Sequence, residues 1–189
     1  MRNFSNAHKK EEFLEVYDLH FMPWKDKNPR FLEIGVQFGG SLQIWREYFK
    51  KIQLVGVDIL ESCSQYASED TKIYIGDQGN AHFLDSLGKF DIIVDDGGHT
   101  MNQQQTSFEV LFEKLSSGGI YVIEDVHTSY WKQFLDTLPT TIDYCKALVD
   151  DINADATHSG RNENFPKREN TFDIKSIHFY ESVVVIVKK

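Results

Sequence analysis

The sequence predicts an α/β fold: a doubly wound, mostly parallel sheet of seven strands that ends in an antiparallel C-terminal hairpin. The first observation is that short apolar runs alternate with segments of helical periodicity from Phe31 onward. This alternation is typical of parallel strands joined by crossover helices. The second is that "IKSIHFY" and "SVVVIVKK" are separated by only a couple of residues. Such spacing predicts a hairpin that completes the sheet.

Five apolar runs are predicted as the parallel strands: "RFLEIGV", "QLVGVDI", "KIYIGDQGN", "FDIIVDD" and "IYVIEDV". After the first strand, "SLQIWREYFK" repeats apolar residues close to helical spacing, and Ser41 is predicted as its N-cap. Before the fifth strand, a predicted helix carries four apolar residues on one face, the last of them Leu115, and stops at two glycines. Helical material then continues to about Ile152, with a break at Pro139.

Length and charge exclude several classes of protein. The 189 residues fit one domain, which we place at 1–189, and the 41% hydrophobic content is that of a globular chain. A net charge of −9 and a pI near 5.2 argue against partners such as nucleic acid or an anionic membrane.

Three further expectations concern the less regular parts of the chain. Residues 1–30 are predicted as a short helical N-terminal extension, because their mixed charges exclude a signal peptide. Residues 150–170 are polar, with few apolar anchors, and are predicted as a lid loop. No apolar run approaches the roughly 20 residues that cross a bilayer. With two isolated cysteines read as reduced thiols, we expect a cytoplasmic protein.

The glycine loop after the first strand reads "EIGVQFGGS". A dinucleotide fingerprint needs a second glycine where Gln37 stands, so a dinucleotide is disfavoured. Asp58 follows Gly40 by 18 residues, at the end of the second strand, where a carboxylate accepts both ribose hydroxyls of a nucleotide or of S-adenosylmethionine. A simple tight turn at Gly39 and Gly40 remains the alternative.

Acidic residues end the fourth and fifth strands: Asp95 and Asp96 on one, Glu124 and Asp125 on the other. Neighbouring parallel strands lie about 4.8 Å apart, so carboxylates from both ends can converge on one hard divalent cation. His99, three residues past Asp96, lies above the same edge and can act as a general base. A helix cap and a polar surface histidine are the alternatives for any one of these residues taken alone.

Six blocks of the sequence resemble successive blocks of one enzyme family. They are "FLEIGVQFGGSLQIWREYF", "GVDI", "GDQGN", "IIVDDGGHT", "GGIYVIEDVHTSYW" and "SIHFYESVVVIVKK". The resemblance is to the metal-dependent macrolide-sugar O-methyltransferases and their cephalosporin-hydroxylase-like relatives, within the class I S-adenosylmethionine-dependent methyltransferases. It runs from about Phe31 to Lys189 and implies a Rossmann-like sheet.

The resemblance also implies roles for individual residues. It places the methionine part of the cofactor near the glycine loop, the ribose at Asp58, and the adenine near the third strand. The cofactor-binding set is Glu33, Gly35, Gly39, Gly40, Ser41, Asp58, Asp77, Gln78 and Asp95. Asp95 either faces the methionine end or caps the loop. The implied ligands of a divalent metal, Mg²⁺ in first place, are Asp96, Glu124 and Asp125, with His99 as the general base.

We therefore expect an O-methyltransferase that acts on a hydroxyl of a sugar or similar diol, in a small-molecule or glycan acceptor. Tyr130 and Trp131, which follow the second acidic pair, either line the acceptor pocket or pack in the interior. The macrolide enzymes carry a large additional N-terminal region, so the acceptor and the assembly, including a homodimer, stay open. Two other functions are left open: a catalytically silent S-adenosylhomocysteine-binding module, and a metal-dependent relative with chemistry other than methyl transfer.

Overall fold

A computed structural model describes residues 11–153 and 172–189 of the chain. These residues form one seven-stranded sheet with the order β3-β2-β1-β4-β5-β7-β6. The strands are β1 (Arg30–Ile34), β2 (Gln53–Asp58), β3 (Thr71–Ile75), β4 (Phe90–Asp95), β5 (Leu115–Ile123), β6 (Ile174–Tyr180) and β7 (Val183–Lys188). The helices are α1 (Glu11–Phe21), α2 (Gly40–Tyr48), α3 (Ala81–Asp85), α4 (Met101–Phe112), α5 (Thr141–Ala147) and α6 (Val149–Ile152).

The predicted doubly wound sheet with its antiparallel C-terminal hairpin is confirmed. Strands β1 to β5 pair in parallel, whereas β7 pairs antiparallel with both β5 and β6. The hairpin turn lies at Ser182, whose φ is 66°. The hairpin therefore extends the sheet beyond β5 with two strands of opposite direction.

Alternating residues of the strands fill a core on each face of the sheet. In β1, Leu32 and Ile34 lie in a cluster with α4 residues, whereas Phe31 lies in a cluster with residues of α1 and α2. Successive side chains of a strand point to opposite faces, so one short strand serves both clusters. This layering holds the strand ends, and any side chains on them, in fixed positions.

Two predicted element boundaries are wrong. The N-cap of α2 is Gly39, with a φ of 71°, and Ser41 lies inside the helix, where its hydroxyl bonds to Glu33. The predicted helix before the fifth strand ends at Phe112, and Leu115 already belongs to β5, paired with Phe90. Leu115 is buried in either assignment, so its apolar character could not place the boundary.

The N-terminal segment forms a helix within its described part. Helix α1 buries Phe13, Tyr17 and Phe21, and the ring of Tyr17 contacts Trp45 of α2 at 5.0 Å between centroids. A 3-10 helix, Met22–Trp24, then leads towards β1. Residues 1–10 of the predicted extension lie outside the described residues.

The segment between β5 and β6 begins with two 3-10 helices, Val126–Tyr130 and Lys132–Phe134, followed by α5 and α6. The predicted break at Pro139 is confirmed, since α5 begins at Thr141. Of the predicted lid 150–170, the first residues lie in α6 and the turn after it, and 154–170 lie outside the described residues. In the part of the chain that the structure describes, no helix has the length and apolarity required to cross a bilayer.

Candidate functional site

A cavity of about 470 Å³ lies at the carboxyl ends of the parallel strands. The strand order reverses between β1 and β4, and such a reversal opens a crevice at this edge of a doubly wound sheet. The lining residues come from the glycine loop, from the loops after β2, β3 and β4, and from the end of β5. They include Gly35, Gly40, Ser41, Asp58, Asp77, Gln78, Asp96, His99, Gln103 and Asp125.

Asp58 shapes the glycine loop at one end of this cavity. Its Oδ2 accepts hydrogen bonds from the amides of Val36 (2.9 Å) and Gln37 (2.8 Å), and its Oδ1 accepts one from Leu60 (2.9 Å). Burial raises the pKa of Asp58, but these amides outweigh burial, so the pKa lies below its ordinary value. Asp58 is therefore an ionised carboxylate that holds the loop in shape.

Gly35 lets two strand ends approach each other closely. Its φ is +92°, and a Cβ at this position would lie 2.0 Å from the carbonyl oxygen of Asp96. No other residue type tolerates both conditions. The glycine loop after β1 and the acidic loop after β4 can therefore border the same cavity.

Glu33 and Asp95, two predicted cofactor residues, are fully buried. The carboxylate of Glu33 accepts hydrogen bonds from Ser41 (2.7 Å) and from the indole of Trp45 (3.1 Å). The carboxyl of Asp95 accepts one from Gln78 (3.0 Å). Burial raises the pKa of Asp95 to about 7, against the opposing effect of the Gln78 amide. Neither side chain lines the cavity, and both support it from behind.

Asp77 and Gln78 occupy the end of β3, where adenine binding was predicted. Asp77 is exposed, lines the cavity, and accepts a hydrogen bond from the amide of Gly79 at 2.7 Å. Gln78 is buried, and its amide oxygen accepts a bond from Gly98 at 2.6 Å. With Asp95 on its amide nitrogen, Gln78 ties the end of β3 to the loop after β4.

Three ligand atoms converge at the other end of the cavity. His99 Nε2 lies 3.9 Å from Asp96 Oδ1 and 3.6 Å from Asp125 Oδ2. One ligand atom from each of the three residues lies within 4.8 Å of the others. Two carboxylates facing each other at this spacing fit a hard divalent cation, which prefers oxygen ligands. Asp96, His99 and Asp125 are named the acidic end below.

The backbone at the acidic end is unusual at two of these residues. His99 and Asp125 have φ angles of 58° and 53°, in the left-handed region that few residues other than glycine adopt. Thr100 follows His99 directly and begins α4 with a capping box shared with Gln103. Backbone strain of this kind clusters at functional sites. The helix start therefore fixes His99 where it faces the two carboxylates.

The two acidic pairs divide in the same way. Asp96 and Asp125, the second member of each pair, reach the cavity, whereas Asp95 and Glu124, the first member of each, are buried. The buried Glu124 carboxylate accepts a hydrogen bond from the hydroxyl of Tyr17. The structure thus brings Asp96 and Asp125 together with His99, and it places Glu124 beside them in contact with α1.

Two residues at this site were missed by the sequence analysis. Tyr17 lies on α1, in a segment that was predicted only as an extension. His127 lies in the "HTSYW" stretch, with Nδ1 bonded to the hydroxyl of Ser182 and 3.7 Å from Asp125 Oδ1. A helical apolar face that includes one tyrosine was the available signal for Tyr17, because a buried tyrosine hydroxyl needs a partner.

Of the predicted acceptor residues, Trp131 lies closer to the site than Tyr130. Tyr130 is 74% exposed and Trp131 48% exposed. The Trp131 ring lies 4.6 Å from that of His127 and 6.0 Å from Phe134, which in turn lies 6.4 Å from His99. Trp131 and Phe134 therefore form an aromatic border beside the acidic end.

No protein-family model matches the sequence. The chain is 31% identical over 194 residues to 8-demethyl-8-alpha-L-rhamnosyl tetracenomycin-C 2'-O-methyltransferase of Streptomyces olivaceus, covering 94% of this chain and 50% of the relative. It is 34% identical over 195 residues to mycinamicin VI 2''-O-methyltransferase of Micromonospora griseorubida, covering 93% and 48%. The chain thus spans about half the length of the curated relatives it matches.

Solved structures agree with these relatives. MycE methyltransferase from the mycinamycin biosynthetic pathway, in complex with Mg, SAH and mycinamycin VI, superposes with a TM-score of 0.84 at 32% identity, covering 97% of this chain and 50% of that one. The N-methyltransferase NodS from Bradyrhizobium japonicum superposes with a TM-score of 0.58 at 13% identity, covering 97% and 98%. The latter likeness concerns the fold alone.

Proposed function

We propose that this chain, which belongs to the class I methyltransferases homologous to sugar O-methyltransferases, transfers a methyl group from S-adenosylmethionine to a hydroxyl of a sugar or similar diol. We further propose that the reaction depends on a divalent cation, Mg²⁺ in first place. The observation that carries this proposal is the convergence of Asp96, His99 and Asp125 at one end of a cavity whose other end is the glycine loop.

The glycine-loop end is suited to the methyl donor. Asp58 is ionised and borders the cavity, so it can accept hydrogen bonds from the ribose hydroxyls. Its Oδ1 bonds to one amide and its Oδ2 to two, so the ribose is expected at the free side of Oδ1. Asp77, exposed at the end of β3, is proposed to face the adenine. Glu33 and Ser41 position the loop rather than contact the donor.

The acidic end is suited to the cation. Asp96 and Asp125 would hold it, with Glu124 as the third carboxylate. When bound, a divalent cation lowers the pKa of a hydroxyl group that it contacts. Mg²⁺ prefers oxygen ligands, so these carboxylates suffice for Mg²⁺ and leave His99 available for proton transfer.

His99 is proposed as the general base. Its Nε2 faces the site between Asp96 and Asp125. The acceptor oxygen loses its proton to Nε2 and forms a bond to the methyl carbon. The carbon–sulfur bond breaks, leaving S-adenosylhomocysteine. Asp96 and Asp125 stabilise the imidazolium that results, because they are the nearest anions to it.

The acceptor is proposed to be a glycosylated small molecule, as in the names of the relatives. The aromatic border of Trp131 and Phe134 offers a flat apolar surface beside His99, suited to the apolar face of a sugar ring. A homodimer, a single domain over 1–189, a lid over 150–170 and a cytoplasmic location stay predictions of the sequence.

The test is a methyl-transfer screen with mass spectrometry. Glycosides with vicinal hydroxyls would be incubated with S-adenosylmethionine and Mg²⁺, with matched deoxy glycosides as controls. We expect a methylated product from the vicinal diols only, and none in excess chelator. Tight binding of S-adenosylhomocysteine without transfer to any acceptor would contradict the proposal and favour a silent binding module. Metal-dependent conversion of an acceptor without methylation would favour the relative with different chemistry.

A further inference from the structure

The side chain of Tyr17 is fixed by packing on all sides. It is 2% exposed, lies on α1, and stacks on Phe21 with 5.2 Å between ring centroids. The indole of Trp45 meets its ring edge-on at 5.0 Å. The position of the phenol hydroxyl is therefore set by the docking of α1 on the sheet, and not by side-chain rotation.

The Tyr17 hydroxyl lies among the carboxylates that end the strands. It donates a hydrogen bond to Oε1 of Glu124, and the charges of Glu124, Asp96 and Glu33 all act on it. Burial, and after it these negative charges, raise the pKa of Tyr17 well above its ordinary value. The group is thus a protonated donor that faces the buried member of the second acidic pair.

A hydrogen-bond donor at this position has a physical consequence for Glu124. A buried carboxylate is costly unless it is paired, and Glu124 is 2% exposed and near Asp96. Each carboxylate has two oxygens, so one can accept from a neighbouring donor while the other binds a cation. Hydrogen bonds of this kind fix the orientation of metal ligands, and their loss typically weakens metal affinity.

We propose that Tyr17 is a positioning residue of the metal site, which holds the Glu124 carboxylate beside Asp96 through its hydroxyl so that Glu124 can complete the ligand set. This inference rests on the proposed metal-dependent function. It also gives α1 a role at the site: the helix supplies the donor that orients a ligand at the far end of β5, 107 positions away in the sequence.

Tyr48 offers a matched control for this hydroxyl. It lies on α2 and donates to Oδ1 of Asp18 at 2.9 Å, and Asp18 is the neighbour of Tyr17 on α1. Tyr48→Phe therefore removes the same chemical group from the same helix contact, but away from the cavity-lining carboxylates. Any general weakening of the α1–α2 contact should appear in both variants.

The experiment is a titration with Mn²⁺ in the presence of S-adenosylhomocysteine, followed by electron paramagnetic resonance of the free ion. We expect Tyr17→Phe to bind Mn²⁺ about 10–100-fold more weakly than the wild type. Tyr48→Phe should match the wild type, and both variants should keep the wild-type circular dichroism and S-adenosylhomocysteine affinity. In the background of Glu124→Gln, Tyr17→Phe should cause little further loss, because Tyr17 acts through Glu124.

Unchanged Mn²⁺ affinity in Tyr17→Phe would overturn the positioning role while leaving the proposed function standing. Tighter Mn²⁺ binding would overturn it as well, since Tyr17 would then compete with the cation for Glu124. Equal losses in Tyr17→Phe and Tyr48→Phe would show a structural role only. If the wild type bound no Mn²⁺ in a manner abolished by Asp96→Asn, both the inference and the metal-dependent function would be overturned.

Discussion

The two ends of the cavity differ in how their charges are satisfied. At the glycine-loop end, Asp58 accepts three backbone amides between 2.8 and 2.9 Å. At the acidic end, Asp96 and Asp125 lie 3.9 and 3.6 Å from the nitrogen of His99, distances too long for good hydrogen bonds. The first end is organised by the chain itself. The second is organised around a charge that a ligand has to bring.

The largest expected effect would break the acidic end directly. Asp96→Asn and Asp125→Asn should each reduce metal-dependent turnover by about 10³-fold or more, since a cation contributes several kcal/mol to such reactions. In the metal-free state both variants should melt no lower than the wild type, because the repulsion between the carboxylates is relieved. Turnover with Mg²⁺ and calorimetric melting measure the two effects.

Asp26→Asn is the matched control, because Asp26 is an exposed aspartate paired with Lys50 at 2.8 Å. It should leave turnover unchanged. Full turnover of Asp96→Asn, or of wild type shown to be stripped of metal by a chelator, would refute the metal assignment.

A second experiment separates the base from the ligands. His99→Ala should lower turnover by about 10²–10⁴-fold, the loss typical for a general base, and higher pH should restore part of it because hydroxide replaces the base. Mn²⁺ affinity should persist. A parallel fall of Mn²⁺ affinity and turnover would instead make His99 a metal ligand. His82→Ala, on an exposed turn of α3, is the control.

A third experiment compares the two members of an acidic pair. Burial raises the pKa of Asp95 to about 7, so between about pH 4 and 7 the folded state keeps a proton that the unfolded chain has lost. The contribution of Asp95 to the free energy of unfolding is therefore fully present below about pH 4 and is lost as the pH rises through 7.

Relative to Asp95→Asn, the metal-free wild type should thus lose about 2–4 kcal/mol of stability over this range, at about 1.4 kcal/mol per pKa unit. Denaturant unfolding at several pH values measures this difference. A difference that stays constant from pH 4 to 7 would contradict the raised pKa of Asp95.

The smallest expected effect concerns the glycine-loop end. Asp58→Ala should weaken S-adenosylhomocysteine binding by about 1.5–3 kcal/mol, because hydrogen bonds to a charged group contribute this much. Isothermal calorimetry measures the change. Asp70→Ala is the control, since Asp70 precedes β3 at the opposite edge of the sheet. Wild-type affinity in Asp58→Ala would remove Asp58 from the ribose site.

The sequence predicted the sheet well because its signals are local. Apolar runs of strand length and the short turn before Val183 depend on neighbouring residues only. Boundaries were harder, since Leu115 is apolar and buried whether it ends a helix or begins β5. The site was predicted in part: the acidic residues do meet at one edge, but the pairs divide into a cavity-lining and a buried member.

By itself, the sequence determined that acidic side chains end β4 and β5 and that a glycine loop with Asp58 lies at the same edge. Strand direction alone brings these ends together. Only the tertiary structure decided that Asp96 and Asp125 face the cavity while Asp95 and Glu124 turn away from it. That choice depends on packing against Gln78 and Tyr17, which are distant in sequence. Local patterns specify which residues reach an edge, and long-range contacts specify the direction of each side chain there.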